Sequence, residues 1–94
     1  MSDLDQLRSP SEWTRLHAVM TLGKSEDAAS ALIESLQDAS ESVRTMAALA
    51  LGDIGDEAAI PALGQATHDE SPRVAKAAAI ALEKSRRPHE GNSP

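Results

Sequence analysis

Apolar residues recur along most of this chain at three- and four-residue steps, as in Val43, Ala47, Ala50, Leu51 and Ile54. That spacing gathers them on one face of a 3.6-residue helix, and no stretch alternates as a half-buried strand would. The pattern predicts six helical segments, at residues 3–8, 10–22, 26–37, 41–52, 57–67 and 72–85. Start and stop signals frame them. Ser71-Pro72 offers a hydroxyl N-cap followed by proline at the first helical position, where no amide is needed. Ser9-Pro10-Ser11-Glu12 reads the same way, with Ser9 as cap and Glu12 three residues on completing a capping box. Ser40 caps the fourth segment. Gly23 and Gly52 stand where helices should stop, because glycine takes a left-handed turn at little cost. Pro61 predicts a kink or a delayed start in the fifth segment. Residues 87–94, with Pro88, Gly91, Asn92 and Pro94, are expected to be a disordered tail, leaving 1–86 as the folded domain.

The segments repeat. Asp38 falls on Asp69, Ser40 on Ser71, Val43 on Val74, Ala47-Ala48 on Ala78-Ala79, and Ala50-Leu51 on Ala81-Leu82, each 31 residues later (38 to 69). Ala28, Ala31 and Leu32 fall on Ala59, Ala62 and Leu63 at the same shift. An earlier partial copy lies 29 residues back (44 to 15), with Arg15, Ala18, Leu22 and Gly23 over Arg44, Ala47, Leu51 and Gly52. Self-similarity at this period is the mark of stacked helical hairpins, none of which buries its apolar face alone. The fold class expected is therefore all-α, a short α-solenoid of about three hairpins.

Composition changes this picture in two respects. Hydrophobic residues make up 40% of the 94, but Trp13 is the one aromatic and cysteine is absent. The core must then come from Ala, Leu, Ile, Val and Met, whose small members let helices approach closely while burying little area each. The net charge of -6 disfavours nucleic acid and anionic membranes as partners. No secretion signal follows the polar start, and the longest apolar run, Ala77 to Leu82, is far too short to span a bilayer, so a cytoplasmic location is expected.

The stretch from Asp38 through Arg44, then Ala47-Ala48-Leu49-Ala50-Leu51-Gly52-Asp53-Ile54-Gly55-Asp56 and Ala59-Ile60-Pro61-Ala62-Leu63, closely resembles the short HEAT repeats of phycobilisome lyases. The resemblance covers roughly residues 10–85. It implies a ladder between neighbouring repeats in which a loop Asp meets a second-helix Arg, and Asp38, Arg44 and Asp69 match those positions. Ala75 stands where the third Arg would be, and Ser9 where the first Asp would be. At most one full rung is thus expected, around Arg44. The resemblance also implies that the second helix of each hairpin lines a concave face. One column of equivalent positions there is Leu16, Thr45 and Lys76, and another is Met20, Leu49 and Ile80. The second column is apolar throughout, either as packing between repeats or as a shallow groove for a partner helix or loop. Acidic turns at Asp53, Asp56 and Glu57 would give that groove a rim favouring a basic partner.

Little in the sequence suggests catalysis. His17, His68 and His89 share no helix face, and His-Glu-x-x-His is missing, so no metal site and no cofactor are expected. HEAT enzymes that hold two irons carry His-Glu pairs on their inner helices, where this chain has Thr45-Met46 and Lys76-Ala77. The carboxylate pairs Glu26-Asp27, Asp56-Glu57 and Asp69-Glu70 sit at helix starts, where the helix dipole accounts for them. Trp13 either buries itself as the cap of an unextended stack or stands exposed as a binding anchor. The function expected is a non-enzymatic protein-binding scaffold, with another protein as partner and a homodimer as a further possibility. The alternatives are a phycobilisome-lyase-like accessory acting on tetrapyrrole-bearing proteins, or a stability element with no partner.

Overall fold

In the computed structural model, which describes residues 6–23 and 28–86, the chain is all-helical, and no strand occurs among the described residues. Helix α1 spans Glu12–Leu22, α2 Ala29–Ser35, α3 Glu41–Ile54, α4 Ile60–Ala66 and α5 Pro72–Arg86. A 3-10 turn at Glu57–Ala59 leads into α4. The tail at 87–94 lies outside the described residues, as do the first half of the segment expected at 3–8 and the first residues of the one expected at 26–37.

Serine hydroxyls start the long helices, though not always the serine the sequence suggested. Ser40 Oγ accepts the Val43 amide at 3.3 Å and Ser71 Oγ the Val74 amide at 3.4 Å. At α1 the cap is Ser11, not Ser9: its Oγ accepts the Thr14 amide at 3.3 Å, and the helix begins at Glu12 rather than Pro10. Ser9 Oγ instead accepts the Ser11 amide at 3.1 Å. Asp38 and Asp69 do the same for the amides of Ser40 and Ser71, at 2.8 and 2.9 Å. Ser9 thus stands in for the loop aspartate, two residues too early to cap.

Two glycine readings also change. Gly52 does not end α3. It is helical and buried, and the helix runs on to Ile54 until Gly55 takes the left-handed conformation at φ 75°. Gly23 does follow the end of α1, but at φ -61°, an ordinary right-handed value. The reason for Gly52 lies across the helix interface. A Cβ at that position would stand 2.7 Å from both the Cα and the Cβ of Ala81. Gly23 faces the equivalent alanine of the next hairpin, with a Cβ there 2.9 Å from the Ala50 Cβ. Both glycines are small because neighbouring helices nearly touch at their backbones.

The second helices α1, α3 and α5 lie side by side, with α2 packed against α3 and α4 against α5. The molecule measures 46 × 29 × 17 Å, its least dimension fitting two helix layers spaced at about 8–10 Å. Leu32, Leu36, Val43, Leu51 and Leu63 form one buried cluster with Ala47, Ala48, Ala77, Ala78 and Ala81. Only Ala, Val and Leu are fully buried among the described apolar residues. Ile and Met, expected among the core residue types, contribute at its edge instead, as Ile33, Met46 and Ile54.

The glycines make a paired test of this packing. Gly52→Ala is expected to lower stability by about 1–3 kcal/mol, because the clash falls on backbone rather than on a movable side chain. Gly64→Ala, in helix α4 with nothing within 4 Å of the new Cβ, is expected to raise stability by about 0.5–1 kcal/mol through helix propensity. Thermal melts of the two variants should move in opposite directions, and a stabilised Gly52→Ala would refute the close approach.

Candidate interaction face

Two arginines, Arg15 on α1 and Arg44 on α3, tie each hairpin to the next. Arg44 Nε and Nη2 donate to Asp69 Oδ2 and Oδ1 at 2.9 and 3.2 Å, while its Nη1 donates to the carbonyls of Asp38 and Ala39 at 2.8 and 3.2 Å. Arg15 repeats every contact: Nε and Nη2 to Asp38 Oδ2 and Oδ1 at 2.8 and 3.0 Å, and Nη1 to the carbonyls of Ser9 and Pro10 at 2.9 and 3.2 Å. There are thus two full rungs where one was expected. Each arginine reaches forward to the aspartate of the following hairpin, so the Ser9 substitution costs the first rung nothing. The signal for Arg15 was present in the 29-residue shift that lays it on Arg44.

A second series of bonds runs beside the first. Ser40 Oγ donates to Glu12 Oε2, and Ser71 Oγ to Glu41 Oε2 at 2.7 Å. Glu12 therefore serves the next hairpin rather than a capping box. Ion pairs elsewhere are exposed: Arg8–Glu34 at 3.4 Å, Arg73–Glu41 at 3.8 Å and Lys84–Asp53 at 2.7 Å. Such pairs contribute little, whereas the ladder side chains are only 10–16% exposed.

Holding α1, α3 and α5 in this register aligns their equivalent positions. Met20, Leu49 and Ile80 form one column, and they are exposed by 50%, 36% and 44%. Each keeps a sizeable part of its surface open to solvent. Leu16 and Thr45 are half-buried and Lys76 is exposed. Trp13 is 73% exposed, so it does not cap the stack. It shares a face of α1 with Leu16, His17 and Met20, at helical spacing. Away from this face, an open polar groove of about 480 Å³ surrounds Arg44 at the loop edge. Its charges Asp38, Arg44 and Asp69 are taken up by the ladder. No group of three or more acidic, His or Cys side chains placed to hold a metal occurs among the described residues, and none of their helices is long and apolar enough to cross a membrane.

The model of the family described as HEAT repeats matches residues 4–87. The chain belongs to the HEAT repeat family. No curated protein matches it. HEAT repeats are generally non-catalytic and commonly serve as interaction scaffolds. In this HEAT protein the third repeat drops both stacking devices. Ala75 replaces the ladder arginine, and Glu83 occupies the position of Gly23 and Gly52. Ala75 is legible in the repeat register, whereas the meaning of Glu83 depends on why Gly52 is glycine.

The ladder has an acid limit. Partial burial alone would push the Asp69 carboxyl up, but the Ser71 amide and the Arg44 guanidinium together hold it below its ordinary 3.8. Its hydrogen bonds to Asp38 likewise raise Arg15 above an already high value, keeping it charged. A carboxylate lowered in the folded state adds stability above its unfolded pKa of about 4, and that stability is lost as pH falls through the folded value. Asp69→Asn should therefore melt well below wild type at pH 7. The gap should narrow as pH drops below about 4. A gap independent of pH would disconnect Asp69 from the ladder's charge.

Proposed function

We propose that this protein is a non-enzymatic interaction module that binds another protein on the concave face lined by α1, α3 and α5. The observation that carries the reading is the column Met20–Leu49–Ile80, apolar in all three repeats and exposed in each. Single exposed apolar residues are ordinary, but three aligned ones with Trp13 on the same side make a contiguous surface of the kind that association buries. Trp is also enriched among the residues that dominate binding energy. A cytoplasmic adaptor or regulatory subunit with no cofactor fits this surface and the reduced-thiol-free composition. The phycobilisome-lyase-like alternative has less support, because a tetrapyrrole site calls for aromatic walls and Trp13 is the chain's one aromatic residue.

Photo-crosslinking tests the assignment. A photoreactive residue at position 49 or 80 should capture a discrete partner from native lysate. The same residue at Gln65, exposed on α4, should not. Leu49→Glu, with helicity checked by circular dichroism, should lose the adduct formed from position 80. Equal capture from Gln65, or capture indifferent to Leu49→Glu, would remove the face from consideration.

A further inference from the structure

Charge is distributed unevenly over this acidic molecule. Helix α5 carries Arg73, Lys76, Lys84 and Arg86 against one acid, Glu83. Outside the two ladder pairs, the other described residues carry one base, Arg8, against Glu12, Glu34, Glu41, Asp53, Asp56, Glu57 and Glu70. Arg73, Lys76 and Lys84 lie within about 80° of one another around the helix, with Ile80 among them. Lys76 is exposed and takes part in none of the ion pairs among the described residues.

The same polarity appears when the columns are read across the face. Trp13, Ser42 and Arg73 are equivalent, as are Leu16, Thr45 and Lys76. Each column passes from apolar at α1, through a hydroxyl at α3, to a base at α5. The third column, Met20, Leu49 and Ile80, stays apolar across all three helices. Two of the bases are partly compensated, Arg73 by Glu41 and Lys84 by Asp53. Lys76 leaves a positive excess beside Ile80.

We propose that the face takes an amphipathic helix of a partner protein, its apolar side along Met20–Leu49–Ile80 and its acidic end over α5. This rests on the face being the binding surface and adds the chemistry of the occupant. It reverses the basic-partner preference suggested by Asp53, Asp56 and Glu57. Asp53 is paired with Lys84, and Asp56 accepts the Ala58 amide at 2.8 Å at the start of the 3-10 turn. Three neighbouring helices at roughly 9 Å spacing give a column about 18 Å long, which about 12 residues of helix would cover.

The lone Trp13 makes the full chain its own reporter. Two synthetic helical peptides of about 14 residues with the same leucine face are titrated against it, one ending in glutamates, the other with lysines in those places. The glutamate peptide should shift Trp13 emission to the blue with at least tenfold lower Kd at low salt. That advantage should shrink in high salt and vanish in Lys76→Glu, whose melt should match wild type. Leu49→Glu, still helical, should lose both peptides. Equal affinity for the two peptides would overturn the acidic partner while leaving the face as the binding surface. No saturable shift with either would overturn both. Tighter binding to phosphatidylserine vesicles or duplex DNA than to the glutamate peptide would overturn the proposal by changing the partner class. A dimer seen in light scattering and dissolved by Leu49→Glu would overturn it by giving the face to a second copy.

Discussion

A mostly buried guanidinium must find acceptors for its donors, and Arg44 does so with four bonds. Two hold the loop of its own hairpin and two hold the aspartate of the next. The fork geometry fixes distance and angle together, which a lysine's point charge would not. The aspartate is itself held by the amide of the following serine cap, and that serine donates to a glutamate on the preceding second helix. One rung therefore joins a helix start, a loop and a neighbouring helix start into a single bonded unit. Because Arg15 builds the same unit, the second helices keep a constant offset from one repeat to the next.

The small residues depend on that offset. Gly52 meets Ala81, and Gly23 meets Ala50, only if the helices are set by the ladder at one end and brought together at the other. A core limited to Ala, Val and Leu gains modest area per residue, so it relies on close packing, where a displaced backbone forfeits many contacts at once. Polar bonds at the helix starts and glycine contacts near the helix ends are thus two halves of one alignment. The aligned column of exposed side chains is its consequence.

How legible this was depends on the range of the interaction. The hairpin repeat and the caps Ser40 and Ser71 are local patterns and could be read directly. The ladder residues Asp38, Arg44 and Asp69 were recognised by resemblance, but the number of rungs was not. Pairing runs forward between repeats, so a missing aspartate at Ser9 and a missing arginine at Ala75 each remove a bond to a hairpin beyond the three. Gly52 was misread because glycine marks either a turn or a close contact, and sequence alone does not distinguish them. Trp13 was ambiguous for a related reason: α1 has one face toward α3 and others away from it, and periodicity does not say which holds the indole.

The departures in α5 bear on function as well as on stacking. Ala75 can offer no rung, and Glu83 would hold a following backbone away where Gly52 lets one approach. A fifth helix that kept both devices would offer another copy the same head-to-tail contacts that α3 makes with α5, and heterologous contacts of that kind need not close. Helix α5 instead carries most of the positive charge outside the ladder. Its side chains are thereby relieved of stacking and gathered beside the apolar column. Residues repeated from hairpin to hairpin align the face, while those that differ, from Trp13 through Ser42 to Arg73, give it direction. An ordered surface with one apolar edge and one basic edge discriminates between the two orientations of a helical ligand, which an unbroken repeat would not do.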